Sequence, residues 1–199
     1  MELRGARTLI TGSTGGLGRA IACACADRGA DLVLTGRDAA ALDRLAGMLG
    51  AETVFADLAK ARDVERLVDA VGDLDVLVSN AALPGGGRVH TFSIEEIDRL
   101  LEVNLRAPIV LSRQFASQMV TRGRGHVVFI SSLAAAFPTP GLSLYNATKA
   151  ALRIYSLSLR SELAPEGVGV SILYPGPIAE AGMWADTGLA PPVGLRTRS

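Results

Sequence analysis

Tyr145 and Lys149 stand four residues apart in a stretch that reads as helix, so their side chains share one face. A tyrosine hydroxyl titrates near 10 unperturbed, and a nearby ammonium favours the phenolate and draws that value toward the working range. A phenol so tuned suits general acid–base work. Alone, such a pair is the common i, i+4 pairing of a surface helix. Ser132 changes the reading: it lies thirteen residues earlier, at the carboxyl end of the strand-like run His126–Ser131. A second group of residues points to phosphate. Thr11-Gly12-Ser13-Thr14-Gly15-Gly16-Leu17-Gly18 follows one strand-like run and opens a helix. Glycines there allow a tight turn and close approach of a pyrophosphate, and the helix start offers free N–H groups and a positive dipole end. The turn is neither the common G-x-G-x-x-G nor a P-loop, since no Lys-Ser or Lys-Thr follows.

These residues need a scaffold, and the hydrophobic pattern supplies one. Strand-like runs at 6–11, 31–35, 52–55, 75–79, 126–131 and 168–173 alternate with helical stretches at 16–28, 38–50, 60–71, from Ser93, 104–121 and 143–163. Ser93 and Glu96 stand at capping-box spacing, and Gly29, Gly50, Pro165 and Gly167 act as helix stops. Such alternation predicts one Rossmann-type doubly wound parallel sheet with right-handed crossovers. Ligands in such sheets bind outside the carboxyl ends of the strands, where these motifs fall. The second strand ends Thr35-Gly36-Arg37-Asp38. The place of a ribose 2′-hydroxyl reader holds Gly36 and Arg37, and the arginine suits a 2′-phosphate. Asp38 reads as the N-cap of the next helix. The expected cofactor is therefore NADP(H), with NAD(H) as the weaker fit.

Composition closes off other classes. The 199 residues fit a single domain over 1–199, long enough to bury roughly 70% of the unfolded surface without disulfides or metal. Hydrophobic residues make up 49% and charged residues 20%, which excludes a disordered chain. Lys plus Arg and Asp plus Glu number 20 each, so no net field draws nucleic acid or an anionic membrane. The charge-free stretch 126–148 is broken as a membrane span by Pro138, Pro140 and Gly141. No basic leader opens the chain, and Cys23 and Cys25 point to different sides of one helix without metal-ligand company. A cytoplasmic protein without a metal is expected. His90 and His126 lack triad partners, and no Gly-x-Ser-x-Gly elbow exists, so a hydrolase reading fails.

In order along the chain, these motifs resemble the short-chain dehydrogenase/reductase family in its compact branch. Thr11-Gly12-x-x-x-Gly16-x-Gly18 is similar to its cofactor turn, Asp57-Leu58 to its adenine-side Asp, and Ser79-Asn80-Ala81-Ala82 to its Asn-Asn-Ala-Gly segment. Asn104, Ser132, Tyr145 and Lys149 occupy its four catalytic positions, and Pro175-Gly176 its Pro-Gly after the sixth strand. The likeness spans about residues 6 to 183. It implies strand order 3-2-1-4-5-6, with the family's seventh strand absent and a substrate loop over about 177–199. It further implies that Tyr145 is the general acid in carbonyl reduction and the base in the reverse reaction. Lys149 would lower the Tyr145 pKa and bond the nicotinamide ribose, Ser132 would donate to the substrate oxygen, and Asn104 would hold a proton-relay water. Gly12, Ser13, Thr14, Gly16, Leu17 and Gly18 would bind the phosphate side. Asn80 and Ile178 would line the nicotinamide half, beside Pro175 and Gly176.

The sequence departs from the pattern in places. Gly15 also fits the Gly-x-x-Gly-x-x-Gly of the longer epimerase branch, Ala82 replaces a glycine, and Glu180 stands where a cofactor-bonding Thr is usual. Without the last strand the edge of the sixth is exposed to association. The rim candidates Leu133, Ala134, Phe137, Leu142, Met183, Trp184, Leu189 and Pro191 are apolar, which suggests an apolar ketone, aldehyde or secondary alcohol. Helices 104–121 and 143–163 are candidate homo-oligomer contacts. Two other functions fit parts of the pattern: a nucleotide-binding protein of this fold without turnover, and a sugar-nucleotide epimerase or dehydratase.

Overall fold

The computed structural model describes residues 2–176. Its strands are β1 (Arg7–Thr11), β2 (Asp31–Gly36), β3 (Glu52–Phe55), β4 (Val76–Ser79), β5 (Gly125–Ile130) and β6 (Val168–Leu173). The helices are α1 (Gly16–Ala26), α2 (Ala39–Leu49), α3 (Ala61–Val71), α4 (Ile94–Leu101), α5 (Ala107–Arg122) and α6 (Ser143–Leu163). All six strands run parallel in one sheet of order β3-β2-β1-β4-β5-β6, as the alternating pattern and the resemblance require. The order reverses between β1 and β4, which pair Thr8 with Val76 and Ile10 with Val78. That reversal opens the crevice in which such sheets hold ligands.

Strand periodicity decides which residues meet which helices. Leu9, Leu77, Val127 and Phe129 bury against Leu67 of α3, Leu111 and Phe115 of α5, and Leu152 of α6. Ile10, Leu32, Leu34 and Val78 bury on the opposite face with Ala22 of α1 and Leu42 and Leu45 of α2. With helices on both sides, β4 is buried at every position, which suits an uninterrupted apolar run. Among the described residues β6 is an edge strand, with Leu173 49% exposed.

The caps follow the sequence closely. The Asp38 carboxylate accepts from the Ala41 N–H at 2.9 Å and starts α2, and Gly50 ends it in the left-handed region. Ser93 and Glu96 form the reciprocal box that starts α4. One element differs. Instead of two separate helices meeting near Asn104, α4 and α5 join through a π-helical turn, Glu102–Arg106, in which the Ala107 N–H bonds the Glu102 carbonyl. Pro108 carries no N–H for the Asn104 carbonyl, so a regular turn cannot continue there and the widened turn takes its place.

Candidate functional site

Thr11 ends β1, and the chain turns sharply at Gly12, whose φ of +64° favours glycine. A Cβ on Gly12 would stand 2.8 Å from the Ala81 Cα, and one on Gly18 would drive into the Gly12 carbonyl and come 2.8 Å from the Asn80 amide nitrogen. The turn is therefore a cradle that side chains would fill. Gly15 begins α1 in an extended conformation with no side-chain cap, so the first N–H groups of the helix keep no side-chain partner. Thr14, Gly16 and Leu17 complete the turn, partly buried.

Two residues expected to touch a ligand also brace this turn. The Ser13 hydroxyl is fully buried and donates to the Thr35 carbonyl at 3.2 Å, as does its own N–H. The Asn80 amide donates to the Thr11 and Gly12 carbonyls at 2.9 and 3.2 Å, while the Thr11 hydroxyl accepts from the N–H groups of Asn80 and Ala81. Side-chain hydrogen bonds thus lock β4 and β2 to the turn on both sides.

Beyond β2, Arg37 is exposed and its charge reaches Asp57. Asp57 and Leu58 follow β3, and the Ala56 N–H bonds the Gly36 carbonyl, which holds the two strand ends together. Burial pushes the Asp57 carboxyl up, but the Ala59 N–H, the Arg99 guanidinium and the field of Arg37 outweigh it and hold the group below its usual range.

At the other side of the crevice, Ser132 follows β5, and its hydroxyl accepts from the Ala134 N–H at 3.1 Å. Tyr145 and Lys149 lie on α6 as the spacing predicts, with Lys149 Nζ 5.8 Å from the centre of the Tyr145 ring. Lys149 is 2% exposed and donates to the Ile130 carbonyl at 2.9 Å, and burial lowers it to about 8. The Tyr145 phenol is pushed up by burial, against a smaller opposing pull from the Ser132 hydroxyl. This corrects the expectation of a lowered tyrosine: desolvation outweighs a cation held elsewhere. A protonated phenol beside a serine hydroxyl is equipped to give a proton to a carbonyl oxygen.

Asn104 occupies the π-helical turn and is fully buried. Its amide oxygen accepts from the Leu83 N–H at 2.7 Å, and its amide nitrogen donates to the Leu83 carbonyl at 3.0 Å and to the Thr148 hydroxyl at 3.4 Å. It thereby ties the loop after β4 to α6, one residue from Lys149. The same loop passes the tyrosine so closely that a Cβ on Gly85 would come 3.1 Å from the Tyr145 N and 2.6 Å from the Leu100 side chain. The Gly87 N–H bonds the Gly141 carbonyl at 2.7 Å, joining the two loops that flank Ser132 and Tyr145. Gly85, Leu83 and Thr148 escaped the sequence reading. Only the glycine run 85–87 could have flagged a close backbone approach.

Pro175 and Gly176 come to the same place: the Leu133 N–H bonds the Pro175 carbonyl at 3.1 Å. Of the rim candidates, Leu133, Ala134 and Leu142 are partly buried and Phe137 is 67% exposed. Ile178, Glu180, Met183, Trp184, Leu189 and Pro191 lie outside the described residues. No helix among the described residues is long and apolar enough to cross a membrane.

A family model described as short chain dehydrogenase matches residues 6–190. The chain is 38% identical over 178 residues to dehydrogenase/reductase SDR family member 4 from Homo sapiens, covering 84% of this chain and 64% of that protein. It is 33% identical to the ketoacyl reductase HetN from a Nostoc species, covering 96% of this chain and 69% of that one. The chain thus spans about two thirds of the length of these curated relatives. Among solved structures, a short-chain dehydrogenase from Sphingobium yanoikuyae in complex with NADPH superposes with a TM-score of 0.86 at 32% identity, over 93% of this chain and 75% of that one.

Proposed function

The chain belongs to the short-chain dehydrogenase family, and from that premise we propose that it transfers a hydride between NADP(H) and an apolar ketone, aldehyde or secondary alcohol, with Tyr145 as the proton-transfer residue. The observation that carries this reading is the meeting of Ser132, Tyr145 and Lys149 on one side of the switch-point crevice whose other side is the glycine cradle. The cradle at Gly12 and Gly18, with the uncapped start of α1, fits a dinucleotide pyrophosphate. A bound nicotinamide supplies the hydride; the protein orients it and manages the proton.

Gly12, Thr14, Gly16, Leu17 and Gly18 would hold the phosphates, braced by Ser13 and Asn80. Asp57 and Leu58 would take the base, and Pro175, Gly176 and Ile178 the nicotinamide side. Arg37, exposed beside the end of β2, favours the 2′-phosphate of NADP(H) over NAD(H). In reduction Tyr145 gives its proton to the carbonyl oxygen, and Ser132 donates to that oxygen as charge builds on it. Lys149, whose pKa burial lowers to about 8, returns a proton to the phenol side, and Asn104 fixes the loop and helix between which that transfer runs. The whole of 1–199 acts as one domain, with 177–199 as the substrate loop. A cytoplasmic setting agrees with two free cysteines, and exposed Ile154 and Leu157 on α6 agree with pairing of two copies.

A nicotinamide-fluorescence titration followed by NADPH consumption with a panel of carbonyl compounds tests this. Wild-type protein should bind and turn over. The Tyr145→Phe variant should bind NADPH nearly as well and lose turnover by at least about a thousandfold. A fully active Phe variant would refute the role of Tyr145.

A further inference from the structure

A cleft of about 190 Å³ lies between α1 and α2, walled by Thr14, Arg19, Ala41, Arg44, Leu45 and Met48. The helix period brings these residues together. Ala41, Arg44, Leu45 and Met48 stand at i, i+3, i+4 and i+7 on one face of α2. Arg19 lies on α1 four residues past Gly15, and helical side chains lean back toward the N-terminus, which sets it beside Thr14. Leu45 is buried, and both arginines are exposed. Among the described residues neither Arg19 nor Arg44 has an ion-pair or hydrogen-bond partner; the paired arginines are all others. The first turns of α1 and α2 carry no acid, the Asp38 carboxylate is engaged by the Ala41 N–H, and Asp43 is not part of the wall. The cleft therefore presents two guanidinium groups and no carboxylate.

Two cations sharing so small a space repel each other unless an anion lies between them. The arginine fork matches the oxygens of a phosphate, and two forks match the charge of a dianion. The uncapped start of α1, next to Thr14, adds positive potential from the same side. A volume below the roughly 300 Å³ at which pockets for whole small molecules begin suits a single charged group. The cleft lies by the end of β2, since a Cβ on Gly36 would stand 3.3 Å from the Thr14 hydroxyl oxygen. Arg37 is not among its walls.

We propose that this cleft is an anion site, apart from Arg37, in which Arg19 and Arg44 together hold a phosphate dianion. Two sources carry that chemistry: phosphate free in solution or on a small metabolite, and a phosphate already attached to a bound dinucleotide. The charge of the cleft is in place without a dinucleotide, so the site goes beyond the hydride-transfer reading and does not depend on it.

The test is thermal unfolding of the full chain in inorganic phosphate against chloride, at equal ionic strength and at a mildly alkaline pH that keeps phosphate a dianion. Wild-type protein should gain about 3–6 °C in Tm when phosphate stands at about ten times its dissociation constant. Arg19→Gln and Arg44→Gln should each lose most of that gain, Arg44→Lys should keep part of it, and Arg37→Ala should keep nearly all. Both cleft arginines are exposed, so their variants keep the fold. Repeating the measurement with saturating NADH or NADPH separates the sources. A gain kept with both assigns the site to free phosphate, and a gain kept with NADH but lost with NADPH assigns it to the 2′-phosphate of the dinucleotide. No gain over chloride in wild-type protein, a gain that survives in the double variant Arg19→Gln/Arg44→Gln, or one abolished by Arg37→Ala would overturn the proposal. Protein that gained stability from phosphate, lost it in the double variant and bound neither dinucleotide would uphold the site and bring down the hydride-transfer reading instead.

Discussion

Replacing Lys149 by Met should make the ligand-free protein more stable, although it removes a residue of the proposed proton path. Lys149 is 2% exposed and burial lowers it from 10.5 to about 8. A displacement of that size means that keeping the ammonium charged inside the fold costs about 3 kcal/mol at pH 7. Met fills a similar volume without a charge, and gives up one hydrogen bond to the Ile130 carbonyl, worth about 1 kcal/mol. The net gain is about 2 kcal/mol at pH 7, a rise in Tm of about 4–8 °C for a chain of this size. The sign with pH follows from proton binding. Below 8 the lysine is protonated in both folded and unfolded chains, so the cost is constant. Between 8 and 10.5 the unfolded chain holds the proton that the folded chain has shed, so wild-type stability rises with pH. By pH 9.5 about 2 kcal/mol of the cost is gone, and the variant's advantage should have fallen to about zero. Thermal and urea unfolding of both proteins at pH 7 and 9.5 measures this. A variant less stable at pH 7, or a gap that ignores pH, would refute the buried-charge argument.

Other perturbations separate the parts of the site. Arg37→Ala should weaken NADPH by about tenfold or more and NADH by less than twofold in the same titration; equal losses would remove Arg37 from the 2′-phosphate. Gly18→Ala pushes a methyl group into the Gly12 carbonyl and the Asn80 amide, so both cofactors should lose at least about tenfold, in contrast to Arg37→Ala. Asn104→Ala strands the Leu83 N–H and carbonyl, and should lower stability by about 2 kcal/mol and Tm by about 4–8 °C in unfolding curves. Because burial keeps the Tyr145 phenol protonated at neutral pH, carbonyl reduction should not speed up from about pH 6 to about pH 9 while alcohol oxidation should; steady-state rates in both directions, giving the opposite slopes, would reverse the assignment of acid and base.

Local chemistry was plain in the chain. The run Glu52–Phe55 and the helix Ser143–Leu163 were read to the residue, because Gly50 punctuates one and Pro165 the other. The Asp38 cap and the Ser93–Glu96 box are side-chain to backbone bonds within three residues, so spacing alone carries them. The π-helical turn is different. A widened turn moves the apolar stripe by one residue, which on paper looks like one helix ending and another beginning. Pro108 was the cue, since its missing N–H forbids a regular bond to Asn104. The partners of the site were not legible at all. Asn104 bonds Leu83 across 21 residues and Thr148 across 44, and Arg99 reaches Asp57 across 42. No spacing announces such pairs, because only the crossovers of the sheet bring them together.

The tyrosine shows where spacing and environment part. Four residues on a helix place Lys149 on the same face as Tyr145, and proximity of charge alone would lower the phenol. The fold adds two things the spacing does not contain. It buries both groups, which penalises phenolate and ammonium alike, and it offers the ammonium a carbonyl at the end of β5 as a partner. The result is a neutral donor beside a lysine that titrates near 8, close to working pH from the alkaline side. A pair so arranged starts on the acid side of the reaction, with Tyr145 loaded, and Lys149 is the easier of the two to deprotonate. The described residues thus hold the phenol in its protonated form, the form a proton donor to a carbonyl oxygen needs.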